Sequence, residues 1–307
     1  MRVRELGGER ILGGQQSPAT AACLCRGRLG RMQRPFSQVN VFSPEPFLGN
    51  PVAVVLDASG MTAEQMQLVA NWTNLSETTF VLPADDPGAD YQVRIFTPST
   101  ELPFAGHPTL GTCHAWLESG NQPRQPDMIV QQCDAGPVRI RRSGGLLGFA
   151  APPLIRSGAV DEALIEQLAG QLQIARTDIA AAQWADNGPG WIAILLDSAQ
   201  AVLDVRPGDG DLDVGLAGPY PPGSECAFEV RAFFPAGGRS VEDPVTGSFN
   251  ASLAQWLLSS GRATAPYVAS QGTVLGRRGR VHIDADADGT IWVSGATTTR
   301  VSGQIDL

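Results

Sequence analysis

The sequence predicts an α/β (α+β) fold of two similar halves, each mixing strands with a long apolar helix. Three observations lead there. Strand-sized apolar runs and helical periods interleave along the whole chain instead of segregating. At 307 residues the chain is long for one core and comfortable for two. A unit of strand, loop, glycine and apolar helix also recurs. "VRIFTPS" at 93–99 and "VRAFFPA" at 230–236 share Val, Arg, Phe and Pro, and "ELPFAGHPTLGTCHAWLESG" at 101–120 parallels "EDPVTGSFNASLAQWLLSSG" at 242–261.

In chain order, "FSQVNVF" reads as a strand, "PEPFLGN" as a turn-rich loop and "PVAVVL" as a second strand. "TAEQMQLVANWTN" has a Thr cap, Glu in the first turn and apolar Met66, Val69, Ala70 and Trp72, which predicts a helix. "ETTFVLP" and "YQVRIFTP" are strands, and "PTLGTCHAWLESG" is a helix closed by Gly120. In the second half "PVRIRR" and "LLGFAAP" are strands and "DEALIEQLAGQL" is an Asp-started helix. "GWIAILL", "AFEVRAFFP", a helix from about Ser248 and a strand pair turning at Asp288-Gly289 complete the pattern.

Composition excludes several classes. No apolar run approaches the roughly 18 residues of a membrane span, so no membrane role is expected. A net charge of −9 repels a phosphate backbone, and the basic "GRRGR" at 276–280 is short, so nucleic acid is not an expected partner. All 22 basic residues are arginine. Without lysine there is no Schiff base, no pyridoxal phosphate anchor and no P-loop lysine. Cys23, Cys25, Cys113, Cys133 and Cys226 form no disulfide framework and suit reduced thiols in a cytoplasm. His107, His114 and His282 lack metal-ligand spacing, so no metal is expected. Residues 1–33 carry six arginines, several glycines and no persistent period, and read as a disordered extension or a start assigned too far upstream.

In each copy of the repeat a glycine, Gly106 or Gly247, opens a helix that is apolar on most faces and therefore central. Two buried helix N-termini would aim free N–H groups and positive dipole ends at one cleft, which suits a carboxylate. Glu77, in "NLSETTF", stands between the hydroxyls of Ser76 and Thr78. It is either a solvated acid on an edge strand or a general base whose pKa burial lifts toward neutrality. His107 in the first helical turn is either a packing residue or a neutral imidazole able to share a proton. Its counterpart is Ser248, so the two cleft edges differ chemically. Asp243, ahead of Thr246 and Ser248, is either a dipole-stabilising acid or part of the site, and Glu242 reads as solvated. Asn50 before Pro51 is a turn residue or an amide donor.

These residues lie in motifs that resemble the PhzF family of phenazine-biosynthesis isomerase-like proteins, within the diaminopimelate epimerase-like fold. The motifs are "FLGNPVAVVL", "NLSETTFV", "FTPSTELPFAGHPTLG", "EDPVTGS" and "QGTVLGRRGRV", in that order from about Phe36 to the C-terminus. The resemblance implies two similar domains, 34–148 and 149–307, each a mixed sheet curled around a central helix, with the first closed by a strand from the C-terminus and the active site between them. It implies a homodimer and cofactor-free proton transfer within a small carboxylic acid, similar to isomerisation of trans-2,3-dihydro-3-hydroxyanthranilate. By motif Glu77 matches the catalytic glutamate, and His107, Asp243 and Ser248 match further active-site groups. Asn50, Ser76, Gly106, Thr246 and Gly247 are the expected substrate-binding positions. Asn40 stands where Asp is usual. True epimerases of this fold carry thiols where this chain has Ala105 and Thr246, which disfavours two-thiol racemisation. A non-thiol racemase or epimerase and a non-catalytic small-acid binding protein are the alternatives.

Overall fold

The structure, a computed structural model, describes residues 33–236 and 238–307. Cys23, Cys25 and the expected extension lie outside them, except that Gln33 opens the first strand. Chain elements run β1 (Gln33–Val41), β2 (Asn50–Val55), α1 (Ala63–Thr73), β3 (Glu77–Leu82), β4 (Tyr91–Phe96), β5 (Glu101–Leu102), α2 (Gly106–Glu118), β6 (Met128–Cys133), β7 (Gly136–Ser143) and β8 (Leu146–Ala150). They continue as β9 (Arg156–Ala159), α3 (Glu162–Leu172), β10 (Ile179–Asp186), β11 (Ile192–Leu196), α4 (Ala199–Asp204), β12 (Val214–Pro219), β13 (Phe228–Ala236) and β14 (Arg239–Asp243). Last come α5 (Gly247–Ser259), β15 (Tyr267–Gln271), β16 (Gly279–Ala285), β17 (Ile291–Gly295) and β18 (Thr297–Asp306).

Strand pairing repeats with one pattern. In the first half β1–β2 is antiparallel, β2–β3 parallel, β3–β4 antiparallel, β4–β6 parallel, and β6–β7–β8 antiparallel. In the second half β10–β11, β11–β12, β12–β13, β13–β15 and β15–β16–β17 follow the same alternation. β8 pairs with β17 to join the halves. The outer strands are exchanged: β18 from the C-terminus closes on β1, and β9 from mid-chain closes on β10. The sequence repeat is real at the level of side chains. Arg94 of β4 holds Glu101 and Arg231 of β13 holds Glu242 through two hydrogen bonds each, and the facing residues are Phe96↔Glu101 and Phe233↔Glu242.

Local chemistry explains the helices. Thr62 accepts from the Gln65 N–H while Gln65 Oε1 accepts from the Thr62 N–H, a capping box that starts α1, and Asn74 in the left-handed region ends it. α1 buries Met66 and Ala70 but leaves Trp72 80% exposed, because Trp72 lies off the stripe those two define. α3 buries Ile165, Leu168, Ala169 and Leu172, spacings of three and four residues that fit one helical face. α4 is too short to carry a readable period; Ser198 caps it by accepting from the Ala201 N–H.

α2 packs on β1, β2, β3, β6, β8 and β18, and α5 on β10, β16 and β17, so the two central helices share one apolar core with the sheet. Their N-termini meet. A Cβ added at Gly106 would lie 2.8 Å from the Gly247 Cα and 2.8 Å from the Phe149 ring, distances real side chains do not adopt. At Gly215 of β12 an added Cβ would penetrate the Phe249 ring, so the strand yields a side chain to let α5 seat. Five of the strands that evade the sequence periods have physical causes. β6 buries Gln131, β10 carries four alanines, β12 carries glycines at core positions, β15 buries Ser270 and Gln271, and β18 is mostly polar and half exposed.

Gly106→Ala is expected to lower stability by about 1–3 kcal/mol in urea unfolding, since two helix ends must separate. Gly170→Ala on α3, where a Cβ meets nothing within 4 Å, is the control and should raise stability by about 0.4–1 kcal/mol. Similar effects of the two substitutions would contradict the close approach at Gly106.

Candidate active site

Where α2 and α5 abut, both lack a capping side chain: their N-caps are Ala105 and Thr246. The first N–H groups of a helix have no intrahelical acceptor, and the dipole adds positive potential there. The proline at 108 removes one of these donors without loss, as Pro fits the first turn. Gly106, His107, Gly247 and Ser248 therefore present backbone to a common point between the halves.

The polar side chains come from strand and helix ends around that point. Asn50 opens β2 and Glu77 opens β3, parallel neighbours in which Val52 faces Glu77. Glu77 thus lies between two strands and not on a sheet edge, and its side chain is only 15% exposed. His107 sits in the first turn of α2 and Asp243 ends β14. The buried Asn50 amide nitrogen lies 3.0 Å from the Val245 carbonyl oxygen, 3.1 Å from Asp243 Oδ1 and 3.3 Å from His107 Nδ1. Asn50 is consequently a strap between halves and not a turn residue. Thr246 Oγ1 is 2.6 Å from Asp243 Oδ2. Ser248 Oγ accepts from Trp191 Nε1 at 3.1 Å, and its carbonyl accepts from Asn187 Nδ2 at 2.9 Å. Ser76 precedes Glu77, half-buried, and its side chain makes no hydrogen bond among the described residues.

Several buried polar atoms at this point have no partner. His107 Nε2 approaches Glu77 Oε2 to 3.2 Å, close enough for an ion pair but not aligned for a hydrogen bond, and neither atom finds another partner. Asn50 Oδ1 and Asn187 Oδ1 are likewise unsatisfied. Orphaned buried polar groups cost about 1–3 kcal/mol each, and a polar ligand bound here would relieve that cost.

Burial, reinforced by the Asp243 charge, holds the Glu77 carboxyl well above the usual carboxylate range. Asp243 is also raised by burial, but hydrogen bonds from Thr246 and Asn50 oppose the rise, so of the two Glu77 keeps a proton more readily. Burial lowers His107 to about 3 against a weaker upward pull from the Pro51 backbone, which leaves the imidazole neutral. The result is two carboxyls with unlike proton affinities beside a neutral imidazole.

One sequence reading is corrected. Glu242 is not solvated: its side chain is only 9% exposed, in a two-pronged pair with Arg231, itself held by the carbonyls of Val202 and Val205. This pair anchors β14 directly beside Asp243. Gln271, Asn250, Asn187 and Trp191 are site supports that periodicity did not indicate. A signal for Gln271 existed in the "QGTVLGRRGRV" motif. Cys113, the thiol near this region, is fully buried and pushed up to about 12 by burial, so it is not a thiolate. Among the described residues no group of three His, Cys, Asp or Glu is placed to hold a metal ion, and no helix is long and apolar enough to cross a membrane.

Comparison with known proteins places this geometry in a family. The phenazine biosynthesis-like protein family, PhzC-PhzF, matches residues 39–304. The chain is 34% identical over 290 residues to Antisense-enhancing sequence 1 of Schizosaccharomyces pombe, covering 88% of this chain and 97% of that protein. It is 33% identical over 264 residues to trans-2,3-dihydro-3-hydroxyanthranilate isomerase of Pseudomonas aeruginosa, covering 82% and 90%. A crystal structure of a Bacillus anthracis phenazine biosynthesis protein of the PhzF family superposes with a TM-score of 0.75 at 21% identity, covering 89% of this chain and 99% of that one. The fold is therefore the α/β fold of that group. By its motifs, the extent of the match and these relatives, the chain belongs to the phenazine biosynthesis-like (PhzC-PhzF) family.

Proposed function

We propose that this protein is an isomerase that moves a proton between two carbons of a small cyclic or amino carboxylic acid, with Glu77 as the proton carrier. One observation carries the reading: a buried carboxyl with an unpartnered oxygen stands beside a neutral, unpartnered imidazole nitrogen where two helix N-termini meet. The substrate carboxylate sits on the N–H groups of Gly106, His107, Gly247 and Ser248, which also stabilise charge developing in an enolate-like transition state. Glu77 holds a proton in the resting site and releases it to solvent as the substrate seats; once ionised, it is a stronger base than a free glutamate because burial raises its proton affinity. It takes a proton from the activated carbon and returns it to another carbon on the same face, which regenerates the base. His107 and Asp243 orient the substrate's amino or hydroxyl group, and Asn50, Ser76, Thr246 and Ser248 complete the walls. The chemistry needs only groups of the chain. The substrate most like that of the Pseudomonas relative is a dihydro-hydroxyanthranilate.

The reading includes two domains, 34–148 and 149–307, that place Glu77 and His107 on one side and Asp243 on the other. It also includes a homodimer and a cytoplasmic location. A two-base epimerisation by Glu77 and Asp243 is the second reading, favoured by their mutual influence. Chiral analysis of the product separates the two.

Deuterium incorporation in D2O, followed by mass, tests the proton transfer over a panel of dihydroaromatic and amino-acid carboxylates. Wild type should exchange or isomerise one class, and Glu77→Gln should lose at least about 100-fold of that rate, the usual worth of a general base. Full retention in the variant would remove Glu77 from the chemistry.

Glu77 also leaves a signature independent of substrate. Below pH 4.5, its ordinary value, it is protonated whether the chain is folded or not. Above that value the unfolded chain ionises first while the folded one keeps the proton, so this group's contribution to stability declines as pH rises toward the folded pKa. Glu77→Gln should match wild type near pH 4.5 and become progressively more stable than it at higher pH, by up to about 1.4 kcal/mol per pH unit. Urea unfolding across that range checks it, and a pH-independent difference would mean the carboxyl is not held protonated.

A further inference from the structure

Gln271, on β15, is fully buried and uses its whole amide. Its Oε1 accepts from the Thr246 backbone N–H at 3.0 Å and from Asn250 Nδ2 at 2.8 Å. Asn250 Nδ2 also reaches the Thr246 carbonyl at 2.9 Å, which can only accept, so that atom is the amide nitrogen. A flipped Gln271 would place its own NH2 against two donors. Its orientation is therefore determined, and its two hydrogens go to the Asp243 carbonyl at 3.2 Å and to Thr246 Oγ1 at 2.9 Å.

The consequence falls on a hydroxyl. With Gln271 donating to Thr246 Oγ1, the Thr246 hydrogen has one remaining acceptor, Asp243 Oδ2 at 2.6 Å. Oδ1 of Asp243 meanwhile accepts from Asn50 Nδ2, which the Val245 carbonyl identifies as the NH2 end. Both oxygens of Asp243 thus face donors: the Asn50 NH2, and a Thr246 hydroxyl whose hydrogen has no other acceptor. We infer that Gln271 is a positioning residue that sets the direction of the Thr246 hydroxyl, so that Asp243 is held as the carboxylate and the one proton of the pair resides on Glu77.

The groups facing Asp243 agree with this arrangement. Glu77 approaches from β3 and neutral His107 from α2, its Nδ1 lying 3.3 Å from the Asn50 amide nitrogen. Glu242, the adjacent acid on β14, has its charge taken up by Arg231 of β13. Glu77 Oε2 has no donor aligned on it, whereas Asp243 has two. The first copy of the repeat lacks the device. There Gln131 of β6 donates to Thr109 Oγ1 at 2.9 Å and accepts from the Tyr91 hydroxyl, but Ala105 stands in the place of Thr246 and offers no hydroxyl to direct.

The catalytic meaning of the inference rests on the proposed role of Glu77, but its test does not need turnover. Carbon-13 labelling of aspartate and glutamate carboxyls in the full chain, assigned by loss of signal in Asp243→Asn and Glu77→Gln, reads both protonation states by NMR. Near neutral pH Asp243 should appear ionised and Glu77 protonated. Gln271→Glu, at a pH where the added carboxyl is seen ionised in the same spectra, keeps the acceptor for Thr246 N–H but cannot donate, so the hydroxyl turns toward it and the Asp243 titration should move up by about one pH unit or more. Because that substitution adds a charge, Thr246→Val, which deletes the hydroxyl without one, should show a shift in the same direction, and Thr246→Ser should restore the wild-type titration. A protonated Asp243 with ionised Glu77 in wild type overturns the inference, as does a shift in only one of Gln271→Glu and Thr246→Val. If Gln271→Glu does not fold, the wild-type states and the Thr246→Val and Thr246→Ser pair decide. Absence of deuterium exchange with these protonation states intact would remove the isomerase reading and leave the hydrogen-bond assignment standing.

Discussion

The meeting of two helix N-termini at Gly106 and Gly247 is the constraint on which the rest of the structure depends. A Cβ at either glycine would fall within 3 Å of the other's backbone, so only a pair of glycines lets the ends touch. Bringing two positive dipole ends together in the apolar core is unfavourable by itself. Acidic groups at the junction offset it, and Glu77 and Asp243 are the carboxyls the strands deliver there. The first N–H groups of both helices have no intrahelical acceptor, and a bound anion would satisfy them.

The site is held by strand ends and by two side-chain amides. Asn50 crosses between the halves from β2 to Asp243 and Val245, and Gln271, within the second half, reaches from β15 to Thr246 and Asp243. Beneath Asp243 the buried Arg231–Glu242 pair fixes the strand that carries it. Removing one partner of such a pair costs about 3–5 kcal/mol because the other is left charged and buried, so this pair serves geometry more than net stability. Its counterpart, Arg94–Glu101, lies at the surface. The repeat is thus conserved in bonding and divergent in burial.

That divergence gives the cleft two unlike edges. The first copy offers His107 after Ala105, and the second offers Ser248 after Thr246. Among the described residues, only in the second copy does the strand glutamine bind a hydroxyl that is itself hydrogen-bonded to a carboxylate. Asp243 has Leu102 as its counterpart in the repeat, so the two cleft carboxyls come from unlike positions. Asymmetry of hydrogen bonding separates them, which is what a single proton carrier requires.

Much of this was legible from residues alone. The repeat, the helix starts at Gly106 and Gly247, the Thr62 cap and the residues Glu77, His107 and Asp243 follow from periodicity and motif, because caps, turns and amphipathic stripes are local and leave their mark within a few positions. Ser76 adjoins Glu77 as its motif requires, and its side chain makes no hydrogen bond among the described residues. Strands such as β6 and β15 escaped because burying Gln131 and Gln271 breaks the polar-outside rule on which strand reading depends. Glu242 looked solvated because its partner Arg231 lies on a neighbouring strand. Local spacing and residue type establish two copies of a strand–glycine–helix unit and the types of group at its ends. Only tertiary packing brings the two glycines into contact, pairs Glu242 with Arg231 and aligns two donors on Asp243. Those outcomes depend on burial and on hydrogen-bond direction between residues far apart in the chain, and neither quantity is carried by local spacing.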